Sequence, residues 1–239
     1  MNVSLTQAAA AMTAAARWQE MISQNLAAGT VPGFKRQEVA FATLAPAHLP
    51  HAPLSTARVV TNFSQGQIRP TGSPTDVALD GPGFFEVQLP GGQTAYTRDG
   101  EFRLDPQGQL VTKQGYPVMG DGGPIQLDLN NPAPLSIGAD GTVSQGAEVK
   151  GKLKTVAFQD PTLLQPIGQG QFLATAPGLV PVAATTAFRQ GYLESGNASP
   201  VTEMAHLIAA MRQFEATQRV VQAHDDRLGK AITELGNPA

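Results

Sequence analysis

The sequence predicts an α+β protein, with a mainly-β antiparallel central domain inserted between N- and C-terminal helices that pair as a coiled-coil-like unit. Three observations lead there. Residues 4–28 and 201–235 are free of proline and carry apolar residues at three- and four-residue spacing. Between Thr75 and Arg189 the chain breaks into short apolar or alternating runs separated by Gly-, Asp- and Pro-containing turns. The two helical seams are of similar length, and mutual pairing is the economical way to cover both.

The first helix runs from Ser4 to about Ala28. Ser4 and Gln7 fit a capping box, and the alanine-rich interior supplies helix propensity. Leu5, Ala8, Met12, Ala15, Ile22 and Leu26 form its seam, interrupted at Gln19. Gly29 can close the last turn in the left-handed conformation, and Pro32 prevents the helix from resuming. Residues 36–75, with "LAPAHLPHAPLS", are rich in Pro, Ala, Ser and Thr and show no sustained period, so an extended connector is expected. His48 and His51 lie in this stretch without a neighbouring Asp, Glu or Cys and are read as loop residues rather than metal ligands.

The all-β domain is placed at residues 76–189. Asp99-Gly100, between "AYTR" and "EFRL", signals a type I′ hairpin turn, which needs positive φ at both central residues. "DPQG" at 105–108 sets Pro at the second position of a type I turn, and "PGG" at 90–92 makes another reversal. Three such links predict an antiparallel meander, with Phe84, Phe85, Tyr96, Phe102, Leu110, Val111 and Val118 in its core.

Ser199 and Pro200 form an N-cap and first-turn pair, opening a second helix that runs to Leu235. Met204, Ile208, Met211, Phe214, Val221, Leu228, Ile232 and Leu235 mark its apolar stripe, and Glu215–Arg219 and Asp226–Lys230 are spaced as ion pairs on other faces. At ~1.5 Å per residue this helix reaches roughly 50 Å, far more than one face of a small β-domain needs. Residues 1–35 and 190–239 then make a discontinuous terminal helical domain.

At 239 residues and 41% apolar composition the chain can bury one large core or two modest ones. Sixteen basic residues against nineteen acidic, for a net charge of −3, give no electrostatic footprint for nucleic acid or an anionic membrane. The absence of cysteine excludes disulfides and thiolate metal sites. No run approaches the ~20 apolar residues that would span a bilayer. The N-terminal stretch lacks the basic and apolar regions of a cleaved signal peptide.

No enzymatic constellation stands out. His206 and His224 sit on the last helix without a metal-compatible companion four residues on, and no nucleophile elbow, zinc motif or phosphate loop occurs. Asp80, Asp99, Asp105, Asp121 and Asp140 each occupy a turn position that Asx-turn chemistry explains. Trp18 and the Met204/Met211 pair sit at helical spacing and read as packing residues. The chain is expected to be no enzyme and to take no cofactor or metal.

Three blocks resemble one family in order along the chain. "SQNLAAGTVPGFKRQ" is similar to the pattern Asn-Leu-Ala-Asn-x-x-Thr-x-Gly-Phe-Lys at Asn25, Leu26, Ala27, Gly33, Phe34 and Lys35, with Ala28 and Val31 in place of Asn and Thr. "DVALDGPGFFEVQLPGGQTAYTRDGEFRLDPQGQLVTKQGYPVMG" resembles the family's central β-domain signature, and "GYLESGNASPVTEMAHLIAAMRQFEATQRVV" its C-terminal one, with Gly196 and Ala198 replacing Ser and Val. The family is that of the flagellar hook–basal-body rod proteins. The length and "VMGDGGPI" look closer to its proximal rod members than to the longer distal ones.

The resemblance implies a structural subunit exported unfolded through the flagellar type III apparatus without a cleaved signal peptide. Copies of itself and other rod subunits are its implied partners, assembling helically in the periplasm. Leu5, Met12, Trp18, Ile22, Leu26, Met204, Ile208, Met211, Phe214, Val221 and Leu228 are then expected to form the assembly interface, and Asn25, Gly29, Gly33 and Phe34 the joint between helix and connector. A distal rod or hook-type subunit is one alternative; a cell-wall carbohydrate-binding β module on a helical stalk is another.

Overall fold

The computed structural model describes residues 3–44, 54–176 and 178–235, with side chains for 10–40, 59–176, 178–224, 226, 227, 229 and 230. Helix α1 (Val3–Ala28) and helix α2 (Pro200–Leu235) flank a mainly-β, antiparallel middle. The Ser4–Gln7 capping pair and His48 and His51 fall outside the described side chains. The chain divides into two compact units, Met1–Ala27 with Gln37–Val60 and Ser199–Ala239, and Ala28–Arg36 with Thr61–Ala198.

In the first unit, Met21, Ile22 and Ala210 form a buried cluster with Trp18, Val39 and Leu207 against it. The inner face of α1 runs through Ala15, Trp18, Ile22 and Asn25, where the sequence reading expected Gln19 and Leu26. An unbroken three-four-three spacing puts Asn25 inside, and its amide is satisfied there. Its Nδ2 donates to the Gln37 carbonyl (2.8 Å) and to Glu203 Oε2 (3.3 Å), while Oδ1 accepts from the Gln37 N–H (2.9 Å). On α2 the inward positions Glu203, Leu207, Ala210, Phe214, Thr217 and Val221 also step by four and three.

The stretch expected to be connector contains strands. Gln37–Leu44 pairs with Leu54–Thr61, and Ile68–Pro70 pairs with Tyr192–Glu194. "EVAFATL" and "STARVVT" do carry β-formers, but the prolines between them masked the signal. Residues 28–36 group with the β-rich unit, and 37–44 and 54–60 with the helices.

In the second unit a six-stranded antiparallel sheet runs in the order Gln165–Gly168, Gln171–Leu173, Thr94–Thr97, Phe84–Gln88, Thr155–Ala157, Val182–Ala183. Side chains alternate across it. Phe85, Val87 and Ala95 enter one core with Leu79, Phe102, Leu110 and Val118; Phe84 and Tyr96 enter a second with Phe158 and Phe172. Edge-to-face contacts between Phe85 and Phe102 (5.0 Å) and between Tyr96 and Phe158 (4.9 Å) fix ring positions in each. All seven expected core residues are buried.

Two of the three expected hairpins form. "PGG" joins Phe84–Gln88 to Thr94–Thr97, and "DPQG" joins Phe102–Leu104 to Leu110–Thr112, with the Gly108 N–H bonded to the Asp105 carbonyl. The Asp99-Gly100 hairpin does not. Thr94–Thr97 and Phe102–Leu104 belong to different sheets, and neither Asp99 nor Gly100 has positive φ. Gly100 answers another need: a Cβ there would lie 1.8 Å from the Val77 carbonyl oxygen, because the Gly100 carbonyl accepts the Val77 N–H.

Candidate assembly surface and joint

Met204, Ile208 and Met211 form an apolar stripe on α2 that is about half exposed, at 53%, 54% and 47%, with Val201 extending it toward the N-terminus. It lies one position round the helix from the inward face, a rotation of about 100°. The stripe read from the sequence therefore merges two faces. Its first turns point to solvent, whereas Phe214 and Val221 are half-buried on the inner face. On α1, Ile22 is fully buried and Trp18 packs against it, so these two are covered inside their own unit. Met12 and Leu26 are half-buried, and the side chains of Leu5 and Leu228 lie outside the described residues.

The joint is built by residues from all three sequence blocks. After α1 the Val31 N–H bonds the Ala28 carbonyl (3.0 Å), a backbone contact indifferent to the Ala28 and Val31 side chains. Gly29 does not take the left-handed conformation; that step falls at Gly33, with φ +66°. Pro32 denies the chain a further helical turn, so the reversal is completed after it rather than before. The Gly33 N–H donates to the Glu194 carbonyl (2.7 Å), and the half-buried Phe34 accepts from the Asn197 N–H (3.2 Å) through its carbonyl. Asn197 fastens the same place further: its Oδ1 accepts from the Arg36 N–H (2.6 Å) and its Nδ2 donates to the Asn62 carbonyl (2.8 Å).

Beneath lies an ionic cluster. Lys35, 2% exposed, donates from Nζ to Glu194 Oε1 (2.5 Å) and to the Ser64 carbonyl (2.8 Å). Glu194 Oε1 also accepts from the Gly66 N–H (2.9 Å), and Oε2 from Arg98 Nη1 (3.3 Å). Arg98 Nη2 reaches the Gly81 carbonyl (2.8 Å), and its guanidinium sits 5.3 Å from the Phe84 ring centre. Burial lowers the Lys35 pKa, Glu194 pulls it up, and the Arg98 charge pushes it further down. Burial also lowers Arg98, against the pull of Glu194. Sequence reasoning met Lys35, Arg98, Glu194, Asn197 and Glu203 only as letters within the three family blocks and gave none of them a role in the joint. No linear spacing announces a salt bridge across 159 residues.

Asp99, next along, is buried, and its carboxyl is pushed up to about 6. Burial is the main cause, and the Glu101 and Asp76 carboxylates add to it; the hydrogen bond from the Glu101 N–H and the Lys113 charge act the other way. The folded chain thus holds a proton that the unfolded chain has released between pH ~4 and ~6. Stability falls as pH rises through that window, by up to about 3 kcal/mol. Asp99→Asn keeps the Oδ1 acceptor for Glu101. Urea melts from pH 4 to 8 are expected to show it more stable than wild type at neutral pH and flatter across the window. A parallel pH dependence in both proteins would refute the assignment.

Residues 78–145 match the family described as the flagellar hook protein FlgE/F/G D1 domain, and residues 189–234 match the flagellar basal body rod FlgEFG protein C-terminal family. The chain is 33% identical to the flagellar basal-body rod protein FlgG of Buchnera aphidicola subsp. Schizaphis graminum, over 88% of this chain and 91% of that protein. It is 33% identical to the rod protein FlgF of Caulobacter vibrioides over 91% of each. The chain belongs to the flagellar basal-body rod protein family. With FlgF of Mesorhizobium japonicum the likeness, at 31% identity, runs over 99% of both chains, so this rod-family protein matches from the α1 block through the α2 block. It is a structural rod protein of the flagellar basal body. Among the described residues, no helix is long and apolar enough to cross a membrane.

Proposed function

We propose that the chain assembles helically into the periplasmic rod through its terminal helices, with copies of itself and other rod subunits as partners. The observation that carries this reading is the half-exposed Met204–Ile208–Met211 stripe on a helix whose other apolar face is already turned inward. A long solvent-facing apolar stripe is costly in a lone subunit and is relieved by burial against a neighbour. A contact between unlike faces of successive copies does not close on itself and grows a filament. The polar Asn25–Glu203 pair between α1 and α2 supports a coiled-coil-like pairing, in which a buried amide sets the register.

Passage through the flagellar type III apparatus, unfolded and without a cleaved signal peptide, and a place in the proximal part of the rod are proposed on the family resemblance, not on the stripe. The test is a deletion strain. Basal bodies from it should lack a rod segment in electron micrographs, and a tagged, complementing copy should map to that segment. Intact rods in the deletion strain would refute the proposal; a tag found distally would move the chain along the rod.

A further inference from the structure

The β-rich unit is made of two separate pieces of chain, Ala28–Arg36 and Thr61–Ala198. Glu194 lies near the end of the second piece and Lys35 near the end of the first, 159 residues apart. One residue binds at four points, in the 33–35, 66 and 98 segments, of which the first two are also joined by the Lys35–Ser64 and Asn62–Arg36 bonds. The Glu194 carboxylate takes Lys35, the Gly66 N–H and Arg98, and its carbonyl takes the Gly33 N–H. Tyr192–Glu194, the strand that brings it, pairs with Ile68–Pro70, closing the unit's two ends together.

We infer that Glu194 is a closure device, whose arrival as the last strand is what allows the buried cations Lys35 and Arg98 to enter the core. Without Glu194 the hydrogen-bond partners left to Lys35 Nζ and Arg98 Nη2 are the neutral Ser64 and Gly81 carbonyls, and stripping water from two cations on those terms is strongly unfavourable. A contact at this sequence separation also carries a high loop-closure entropy, which delays it relative to local hairpins such as 84–97. The unit therefore does not reach its native state in a chain whose C-terminal part has yet to be delivered. This inference is independent of the assembly reading, because every contact in it lies within one unit.

The experiment measures unfolding and refolding rates of the full-length chain in urea by far-UV circular dichroism, for wild type, Lys35→Met, Glu194→Gln and the double variant. Glu194→Gln orphans two buried cations and is expected to unfold at least ten-fold faster, with its refolding rate within two-fold of wild type, as for a contact formed after the transition state. Lys35→Met leaves an Arg98–Glu194 pair of zero net charge and should accelerate unfolding less. Introduced into Glu194→Gln, it should slow unfolding several-fold by removing one orphaned charge. Refolding slowed in step with the loss of stability would place the cluster early and overturn the inference, as would the lack of rescue in the double variant. Should Glu194→Gln not fold at all, Lys35→Met reports the same step: faster unfolding with unchanged refolding supports closure, and slowed refolding overturns it.

Discussion

Replacing Ile208 and Met211 together by Asp is expected to abolish swimming while leaving the purified chain folded and about as stable as wild type. Both side chains are about half exposed, so in the free subunit each carboxylate stays in water. The intrinsic helix propensity lost is small at 208, where Ile and Asp are similar helix formers, and about 0.5 kcal/mol at 211. In an assembled rod the same positions would be enclosed by a neighbouring subunit, where an unpaired carboxylate costs several kcal/mol or must take up a proton. A subunit that loses this much at every contact does not incorporate. The measurement is complementation of a deletion strain on soft agar, beside a urea melt of the variant. Normal swimming would eliminate the α2 stripe as the assembly surface. A collapse of the melt would show instead that Ile208 and Met211 belong to the subunit's own packing.

Gly33→Val should cost about 4 kcal/mol or more, placing it among the most damaging single changes in the β-rich unit. The backbone there has φ +66°, a region that a β-branched residue enters only with strain. A Cβ on Gly33 would in addition lie 2.3 Å from the Arg98 carbonyl carbon and 2.4 Å from the Asp99 nitrogen, both backbone atoms that cannot swing aside. Relief requires the segment to lift, which breaks the Gly33–Glu194 bond and draws Lys35 away from its carboxylate. Gly92→Ala is the control. Gly92 also has positive φ, +83°, yet its Cβ would meet nothing within 4 Å, so only the conformational cost of about 1 kcal/mol remains. Urea denaturation of the two variants separates these terms. Comparable losses would show that Gly33 is conserving a dihedral angle alone rather than a close approach.

The helices and the β-rich middle were legible because their signals are local. Proline-free runs with three-four spacing gave α1 and α2 to within a residue or two at each end, and Gly and Pro turns marked the hairpins at 90–92 and 105–108. The three blocks around Asn25, Asp76 and Gly191 pointed to the rod family, and the likeness to rod proteins over most of the chain agrees. Asp99-Gly100 misled because the dipeptide signals a turn but not which strands flank it; the sheet that each flanking strand joins depends on distant partners.

By itself, then, the sequence determined what short-range physics controls: which segments are helical, where tight turns fall, and which aromatic residues leave water. Which of two adjacent apolar faces of α2 turns inward was decided only in three dimensions, since 203–207–210 and 204–208–211 have the same period and the second is the more apolar. The choice rests on the partners that Asn25 and Trp18 offer, not on hydrophobicity along the helix. The convergence of Lys35, Arg98 and Glu194 was likewise beyond any linear pattern. A buried charge is tolerable only when its counter-charge is brought to it, and here the counter-charge comes from the far end of the unit, placed by strand pairing between Ile68–Pro70 and Tyr192–Glu194.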